Sequence, residues 1–494
     1  LARVQAAAFQ KVLTERLTIL WGPPGTGKTH FAAKCMLNLF EMTARCGSTG
    51  LRVLVTATTH TAIDEILHKF LTLRDLALSI PHRGDVAAWA GDKLKVFKLT
   101  ARPSSAADQI AGVHYTVSAN VVKKPRFAVL GATVWALYKD GKYRDTAAFR
   151  EQFDLVVMDE ASQMQVADAL MPLCCLRGDD QGRLLVVGDT LQLPPIFAYK
   201  FGPPPAGVPA VQSSILECLL RSDDNRTVDL AAVVEGRAAH PPRMIKLSEN
   251  YRMNSVLSRF TSRLYGQNYK PSGTSRNSTG RWTVTREAER RLHTAALHSA
   301  LPAAVLDSDG RLPEILAVRL VPHGPGCLRG HTQPLSAAEL ALTTPLQHTH
   351  AEAAFVAQLV DGLAVSHASL DTDSAAQRIF VCTPHNAQKS AVKAALASLQ
   401  RAHWGEIADT VERMQGQERD VVVICLGVLS KEVVDKEVDF LFSKPRLNVA
   451  ISRAKQTCIL LYTDVLTALN PTVIGNPDAY LAYEHLQAFI NAAK

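Results

Sequence analysis

The nine cysteines of this 494-residue chain form no CxxC pair, and their number is odd. A zinc site or a disulfide framework is therefore not expected. No uninterrupted apolar run is long enough to cross a bilayer, so we expect no membrane span. Charged residues make up 20% of the chain and hydrophobic residues 47%, proportions that exclude an intrinsically disordered chain and indicate a folded soluble protein.

The chain is too long for one ordinary hydrophobic core, and its length predicts two to four domains. Its net charge is +8, from 54 lysines and arginines against 46 aspartates and glutamates. Such mild basicity permits a polyanionic partner, but it is equally compatible with a basic surface that serves only solubility.

Short apolar runs alternate with longer helical patterns, which predicts an α/β fold with parallel sheets. The first half has five predicted strands, at Leu17–Trp21, Arg52–Thr56, Phe127–Leu130, Asp154–Met158 and Leu184–Val187. The second half has three, at Ile379–Thr383, Val421–Leu426 and Cys458–Tyr462. We predict one domain over 1–235 and another over 236–494, with the second α/β unit starting near Met244.

Two stretches interrupt this alternation. Residues from about 72 to 125 are rich in lysine and poor in apolar runs, so we interpret them as an insertion packed on the first domain. Residues from about 271 to 349 form a second insertion, whose fold the pattern does not assign. The segment FGPPPAGVP at 201–209 is predicted to be an exposed connection because proline and glycine dominate it.

Residues 22–29 read GPPGTGKT and satisfy the phosphate-loop pattern GxxxxGK[ST] between a predicted strand and helix. The glycines let the backbone wrap closely, so that its amide groups point at phosphates. The lysine supplies a cation to the β- and γ-phosphates, and the last hydroxyl is a ligand for Mg²⁺. We therefore predict a site for ATP and Mg²⁺ formed by Gly22, Pro23, Pro24, Gly25, Thr26, Gly27, Lys28 and Thr29.

A second predicted strand, in FDLVVMDEAS at 153–162, ends in two acids. Carboxylates at the carboxyl end of such a strand fall beside the phosphate loop of a doubly wound sheet. Asp159 is predicted to hold Mg²⁺ through water, and Glu160 to orient and deprotonate the attacking water. Gln192, in GDTLQLPP after another apolar strand, is predicted to sense the γ-phosphate.

These motifs and several others resemble those of superfamily 1 helicases, in the subgroup that includes the nonsense-mediated-decay RNA helicase and the replication helicase–nuclease. The resemblance runs in order along nearly the whole chain. Beyond the segments above it rests on LARVQAAAF at 1–9, VTATTHTAIDEIL at 55–67, LGAT at 130–133, LSENYRMN at 247–254, TPHNAQ at 383–388, VERMQGQERD at 411–420 and RLNVAISRAK at 446–455. It implies two RecA-like parallel-sheet P-loop domains with inserted subdomains.

The resemblance also assigns roles to residues outside the phosphate loop. Arg252 is implied as an arginine finger, and Arg453 as a second arginine on the γ-phosphate. Arginines supplied by a facing domain make hydrolysis conditional on closure of the cleft. The remaining nucleotide contacts implied are Gln5 to adenine, Glu418 to the ribose, Tyr251 and Gly416.

The chain departs from the family pattern at three places. Asn250 stands where glutamine is common, His385 replaces a tyrosine, and Ser452 replaces a threonine. None of these changes removes a group needed for hydrolysis. A nuclease carboxylate cluster and the iron–sulfur cysteines of part of the subgroup are also missing from the sequence.

The resemblance implies an ATP hydrolase and helicase that moves along single-stranded DNA or RNA, 5′ to 3′, and unwinds duplexes. An ATP-switched nucleic-acid clamp or remodelling scaffold without unwinding activity is the alternative. A small-molecule P-loop kinase would need neither Arg252 nor the C-terminal half. Because a motor that grips phosphates reads little base identity, the choice between DNA and RNA stays open.

The segment WALYKDGKYR at 135–144 places aromatic residues among basic ones. This composition suits stacking on a single strand, and it suits half-buried packing equally well. For the whole protein we expect a monomeric motor in an intracellular compartment, cytoplasmic or nuclear. The chain opens on Leu1 rather than methionine, which leaves room for a nuclease or regulatory domain upstream.

Overall fold

A computed structural model of the chain describes residues 3–47, 50–80, 90–91, 93–100, 109–143, 150–197, 199, 210–223, 226–227, 232–233, 237–239, 241–266, 268–272, 282–283, 310–322, 328–330, 345–367, 369–427, 431–469, 474 and 476–493. The chain divides into two compact units, Leu1–Ser248 and Glu249–Lys494. Among the described residues, no helix combines the length and the apolar character that a membrane crossing needs.

Unit 1 is built on a large parallel sheet with helices between its strands. The strands are β1 Leu17–Trp21, β2 Leu51–Ala57, β3 Leu94–Leu99, β4 Val113–Thr116, β5 Phe127–Thr133, β6 Leu155–Met158, β7 Arg183–Gly188, β8 Ser222–Asp223, β9 Arg226–Thr227 and β10 Met244–Lys246. Of these, β8 and β9 form a separate antiparallel pair. The α-helices are Arg3–Thr14, Lys28–Arg45, His60–Ser79, Val134–Tyr143, Val166–Cys175 and Ile215–Arg221, and Ala119–Lys123 is a 3₁₀ helix.

Eight of these strands form one sheet in the order β10-β1-β7-β6-β2-β5-β3-β4, and every pairing in it is parallel. A parallel sheet is covered on both faces, which explains why its strands are continuous apolar runs in the sequence. The helices Lys28–Arg45 and His60–Ser79 supply a core that includes Phe31, Phe40 and Phe70. All five strands predicted in this half are present.

Two interpretations of the sequence in this unit were wrong. Residues 72–125 are not simply an insertion packed on the domain, because they contribute β3 and β4 to the sheet itself. The lysines in this segment interrupt the apolar pattern by which a buried strand is recognised. Lys98 is nevertheless buried, and its ammonium group lies 2.6 and 2.7 Å from the two carboxylate oxygens of Asp64, which compensate its charge. Met244, expected at the start of the second α/β unit, instead begins β10, which pairs with β1.

Unit 2 has a second, smaller parallel sheet. Its strands are β11 Glu249–Asn250, β12 Lys270–Pro271, β13 Ile315–Pro322, β14 Leu328–Gly330, β15 Ile379–Thr383, β16 Ala408–Thr410, β17 Arg419–Cys425 and β18 Ala454–Tyr462. The α-helices are Ser255–Tyr265, Pro345–Val365, Thr372–Ala376, Asn386–Ser398, Val411–Met414, Lys431–Leu441, Lys444–Ser452, Asp464–Thr467 and Pro477–Ala492, and Ala402–Ile407 is a 3₁₀ helix.

The main sheet of unit 2 has the order β14-β13-β18-β17-β15-β16, with only the β13–β14 pair antiparallel. The three strands predicted in this half are present, and β15 has the predicted bounds. The segment at 271–349 supplies β13 and β14, although most of it lies outside the described residues. The predicted connection at 201–209 lies outside them entirely.

Candidate nucleotide site

The phosphate loop of unit 1 joins β1 to the helix Lys28–Arg45. Gly25 and Gly27 have φ angles of 75° and 78°, a left-handed conformation that glycine adopts without strain. Gly27 is the N-cap of the helix, and the first turn carries no acidic side chain. The amide end of the helix therefore provides a partial positive charge that favours an anion.

Within the loop, Lys28 folds back onto the backbone. Its ammonium group donates to the carbonyl oxygens of Gly22 at 2.7 Å and Pro23 at 3.3 Å. The hydroxyl of Thr26 donates to the same Pro23 carbonyl at 2.7 Å. These bonds fix the loop and keep a largely buried cation inside it.

Two oxygens from distant parts of the sequence meet beside this loop. The hydroxyl of Thr29 donates to Oδ2 of Asp159 at 3.3 Å. Asp159 follows β6 and is only 3% exposed. Burial, and next the charge of Glu160, raise the pKa of Asp159 to about 7, against a smaller lowering effect of Lys28. A cation next to this carboxyl would stabilise its charged form and lower its pKa.

Glu160 has an unusual backbone. Its φ angle is 49°, in the left-handed region that non-glycine residues rarely occupy. Its amide donates to Oδ1 of Asp159 at 2.9 Å, so the two acids are tied together. Strained residues of this kind cluster at functional sites, which supports a functional role for Glu160.

Gln192 is held by an acid that the sequence interpretation did not single out. Its side-chain amide donates to Oδ2 of Asp189 at 2.9 Å, and both residues are buried. The amide of Leu191 donates to the other oxygen of Asp189 at 3.0 Å. The DTLQ spacing was a usable signal, because it places the amide three residues from a carboxylate at the end of a strand. The phosphate loop lies next to this segment, because the amide of Gly22 donates to the carbonyl of Gly188, the residue before Asp189, at 3.3 Å.

In unit 2, Arg252 and Glu418 form an ion pair through Nε and Oε2. Lys455 lies 3.3 Å from the other oxygen of Glu418, and Arg252 also donates to the carbonyl of Ser452 at 3.2 Å. Burial would raise the pKa of Glu418, but the charges of Arg252 and Lys455 outweigh it and lower that pKa to about 2. Glu418 is therefore a stable anion that holds two cations.

Arg453 is the C-cap of the helix Lys444–Ser452 and is 2% exposed. Its guanidinium donates to the carbonyls of Val449 at 3.1 Å and Gln417 at 3.2 Å, and to the hydroxyl of Ser452 at 3.3 Å. Because Arg252 bonds to the Ser452 carbonyl, the structure brings both predicted arginines to the end of one helix. Neither Ser452 nor Lys455 had been assigned a role.

The other residues predicted to contact the nucleotide lie on separate elements of the two units. Gln5 lies in the helix Arg3–Thr14 and is partly exposed. Pro24 lies in the loop of unit 1, and Gly416 lies in the turn between the helix Val411–Met414 and β17. The hydroxyl of Tyr251 donates to Glu249 at 2.8 Å.

Two departures from the family pattern have clear local partners. Oδ1 of Asn250 accepts from the amides of Arg252 at 2.8 Å and Met253 at 3.2 Å, which fixes the turn that carries the arginine. His385 contacts Glu437 at 2.8 Å, and its ring stacks on Phe440 with 4.6 Å between ring centroids. Asn250 and His385 thus each contact other residues of unit 2.

Comparison with known proteins identifies the same two halves. One family model, described as an AAA domain, matches residues 5–198, and a second, also described as an AAA domain, matches residues 232–464. Among solved structures, the ATP-dependent Type ISP restriction-modification enzyme LlaBIII bound to DNA aligns over 100% of this chain and 30% of that chain. Its TM-score is 0.38 at 11% identity, a likeness too low to support a conclusion.

Three relatives from Schizosaccharomyces pombe match most of the chain. The DNA replication ATP-dependent helicase/nuclease dna2 is 25% identical over 462 residues, which are 92% of this chain and 27% of that protein. The ATP-dependent helicase upf1 is 23% identical over 475 residues, 92% of this chain and 44% of that protein. The DNA polymerase alpha-associated DNA helicase A is 24% identical over 493 residues, 91% of this chain and 61% of that protein.

The chain thus spans less than two thirds of the length of each of these relatives. Their names all describe helicases, and the matches cover both units. Together with the phosphate loop and the paired acids, these matches show an AAA domain in each half of the chain and a similarity to this group of helicases that extends over both units.

Proposed function

We propose that this chain is the motor of an ATP-dependent helicase, which hydrolyses ATP to move along single-stranded nucleic acid and unwind duplexes, 5′ to 3′. The observation that carries the proposal is the meeting of Thr29 and Asp159 beside the loop of Lys28. The helicase relatives support the substrate class, and the resemblance to the subgroup supports the direction.

The residues of unit 1 fit a Mg²⁺ ion. Among the residues described, no group of three or more His, Cys, Asp or Glu side chains forms a metal site. The adjacent oxygens of Thr29 and Asp159 instead match an ion that takes few protein ligands and keeps waters and phosphates. When bound, Mg²⁺ neutralises charge on the phosphates during transfer. Thr29 and Asp159 would hold it.

The chain's own groups then divide the work. Glu160 orients the attacking water and takes its proton, while Lys28 leaves the carbonyls of Gly22 and Pro23 to bind the phosphates. Gln192, positioned by Asp189, responds to the γ-phosphate. Such positioning and charge stabilisation are the main contributions a protein makes to phosphoryl transfer.

From unit 2 we propose that Arg252 and Arg453 act on the γ-phosphate in the transition state. Because the carboxylate of Glu418 binds Arg252, use of that guanidinium requires exchange of one anion for another. The remaining nucleotide contacts that we propose, on the resemblance alone, are Gln5, Tyr251, Gly416 and Glu418.

The partner that we propose is single-stranded DNA or RNA, with phosphate contacts dominating affinity and a steep loss of binding with salt. For the whole protein we propose a monomeric motor, cytoplasmic or nuclear, with a nuclease or regulatory domain beyond this chain. The presence of a nuclease in the dna2 relative motivates the last point.

The test is displacement of a fluorescent strand from duplexes with a single-stranded tail at the 5′ or the 3′ end, in DNA and in RNA. We expect ATP-dependent displacement only from the 5′-tailed duplex, and none by Lys28→Ala. Displacement from the 3′-tailed duplex alone would reverse the direction. Tail-stimulated ATP hydrolysis with no displacement of either duplex would instead support the clamp or remodelling alternative.

A further inference from the structure

The helix Val134–Tyr143 presents two large aromatic rings to solvent. Trp135 is 59% exposed and Tyr138 is 54% exposed. They are three residues apart, so they share one face of the helix. Leu137, on another face, is 1% exposed and anchors the helix to unit 1. Among the residues of unit 1 that the structure describes, none covers more than part of either ring, so both rings have surface to offer a ligand.

The position of this helix in the sheet matters as much as its exposure. Strands β2 and β5 are parallel neighbours with Ala57 opposite Thr133, and both strands end at this pair. Neighbouring strands lie about 4.8 Å apart. The two segments that follow, Thr58–Thr61 and Val134–Trp135, therefore emerge side by side from one edge of the sheet.

The chemistry of this edge suits a single strand. Thr59, His60 and Thr61 are exposed at the start of the long helix His60–Ser79, whose first turn has no acidic residue. Helix amino ends favour phosphate groups. Lys139, four residues after Trp135, adds an exposed cation beside the rings. A phosphate backbone and its bases would thus find complementary groups on adjacent segments.

We propose that Trp135 and Tyr138 form a stacking platform for unpaired bases of the single strand. This inference rests on the proposed function and adds a base-contacting surface to it. Stacking on aromatic side chains is tolerant of sequence and identical in kind for DNA and RNA. The platform would hold bases without reading them, as a translocating motor requires.

The experiment measures the affinity of the full chain for three 20-nucleotide probes: oligo(dT), oligo(U) and an abasic strand with the same phosphates. The parent should bind both base-containing probes more tightly than the abasic strand. Trp135→Ala and Tyr138→Ala should each weaken that binding by about tenfold, the range expected for loss of one stacked base. Both variants should bind the abasic strand as the parent does.

The controls separate stacking from other effects. Trp135→Phe, which keeps a ring, should retain most of the affinity, and Tyr480→Ala, at an exposed tyrosine of unit 2, should change nothing. The slope of affinity with salt should also be unchanged, because phosphate contacts remain.

Parental affinity of both alanine variants for the base-containing probes would overturn the platform and leave the proposed function standing; the rings would then serve another partner, such as a protein. Equal loss on the abasic strand would also overturn it, because stacking needs bases. A parent that binds none of the three probes would overturn the proposed function, and the platform with it.

Discussion

The hydroxyl of Thr29 lies 3.3 Å from Oδ2 of Asp159, although 130 residues separate them in the sequence. Thr29 is near the start of the helix after β1, and Asp159 follows β6. These two strands flank β7 in the parallel sheet, so their carboxyl ends open at the same edge. The sheet order thereby assembles the candidate metal ligands from segments that are remote in sequence.

Replacement of Lys28 by alanine should abolish ATP hydrolysis. The ammonium group is the cation of the phosphate loop, and its two bonds to loop carbonyls are also lost. Steady-state hydrolysis with saturating single strand and circular dichroism would be compared with the parent. Lys34→Ala, on the same helix but outside the loop, is the matched control and should keep parental turnover. Near-parental turnover in a folded Lys28→Ala protein would disprove the assignment.

The Glu160→Gln variant should bind nucleotide normally but turn it over about 10²–10⁴ times more slowly, the range for loss of a positioned general base. Glutamine preserves the side-chain length and does not remove the amide that bonds to Asp159. With ATP present, the variant should therefore dwell longer on a labelled single strand. Dissociation as fast as that of the parent would contradict the role given to Glu160.

Asp159→Asn should make the protein more stable at pH 8 than the parent, with little difference at pH 4. The raised pKa, about 7, means that the folded parent holds a proton that the unfolded chain has already released. The parent's stability from this group is thus complete below pH 3.8 and is lost as pH rises through 7. Urea unfolding without nucleotide or metal at both pH values tests the sign, and a larger gain at pH 4 would refute it. The same variant should lose hydrolysis.

Alanine at Arg252 or at Arg453 should reduce turnover by about 10³ or more, as expected for loss of a transition-state charge. The two variants should differ in stability. The Arg453 side chain is buried and bonds to two carbonyls, so its removal should lower the free energy of unfolding by roughly 1–3 kcal/mol. Loss of Arg252 still leaves Glu418 paired with Lys455, and should matter less.

Lysine at Arg252 should rescue turnover poorly, because it lacks the planar fork of guanidinium. Steady-state kinetics and urea unfolding of all three variants would decide the matter. Parental turnover in both alanine variants would mean that unit 2 contributes nothing to hydrolysis.

The sequence was informative wherever function or burial left a local pattern. The strand β15 was predicted with its observed bounds because five buried residues follow one another between polar segments. By contrast, the first four residues of β3 alternate between buried and partly exposed, and its buried Lys98 pairs with Asp64, a partner 34 residues away. The three residues of β10 carry too little pattern to show which sheet they join.

The same distinction holds for the candidate site. The phosphate loop and the two adjacent acids of unit 1 could be predicted from the sequence, because each is a short motif with fixed spacing. The capture of Arg252 by Glu418 depends on residues 166 apart, and no spacing rule could have predicted it.

Because Glu160 has a left-handed backbone, the substitution that would make the protein more resistant to heat would also remove the carboxylate proposed for turnover. Glycine would adopt that conformation without the penalty of roughly 1–2 kcal/mol that a side chain brings, and it would remove the carboxylate. Directed evolution screened only for survival of heating would therefore favour loss of Glu160, just as it would favour asparagine at position 159. A thermostable version of this motor has to be sought by changes elsewhere, with these two neighbouring positions held fixed.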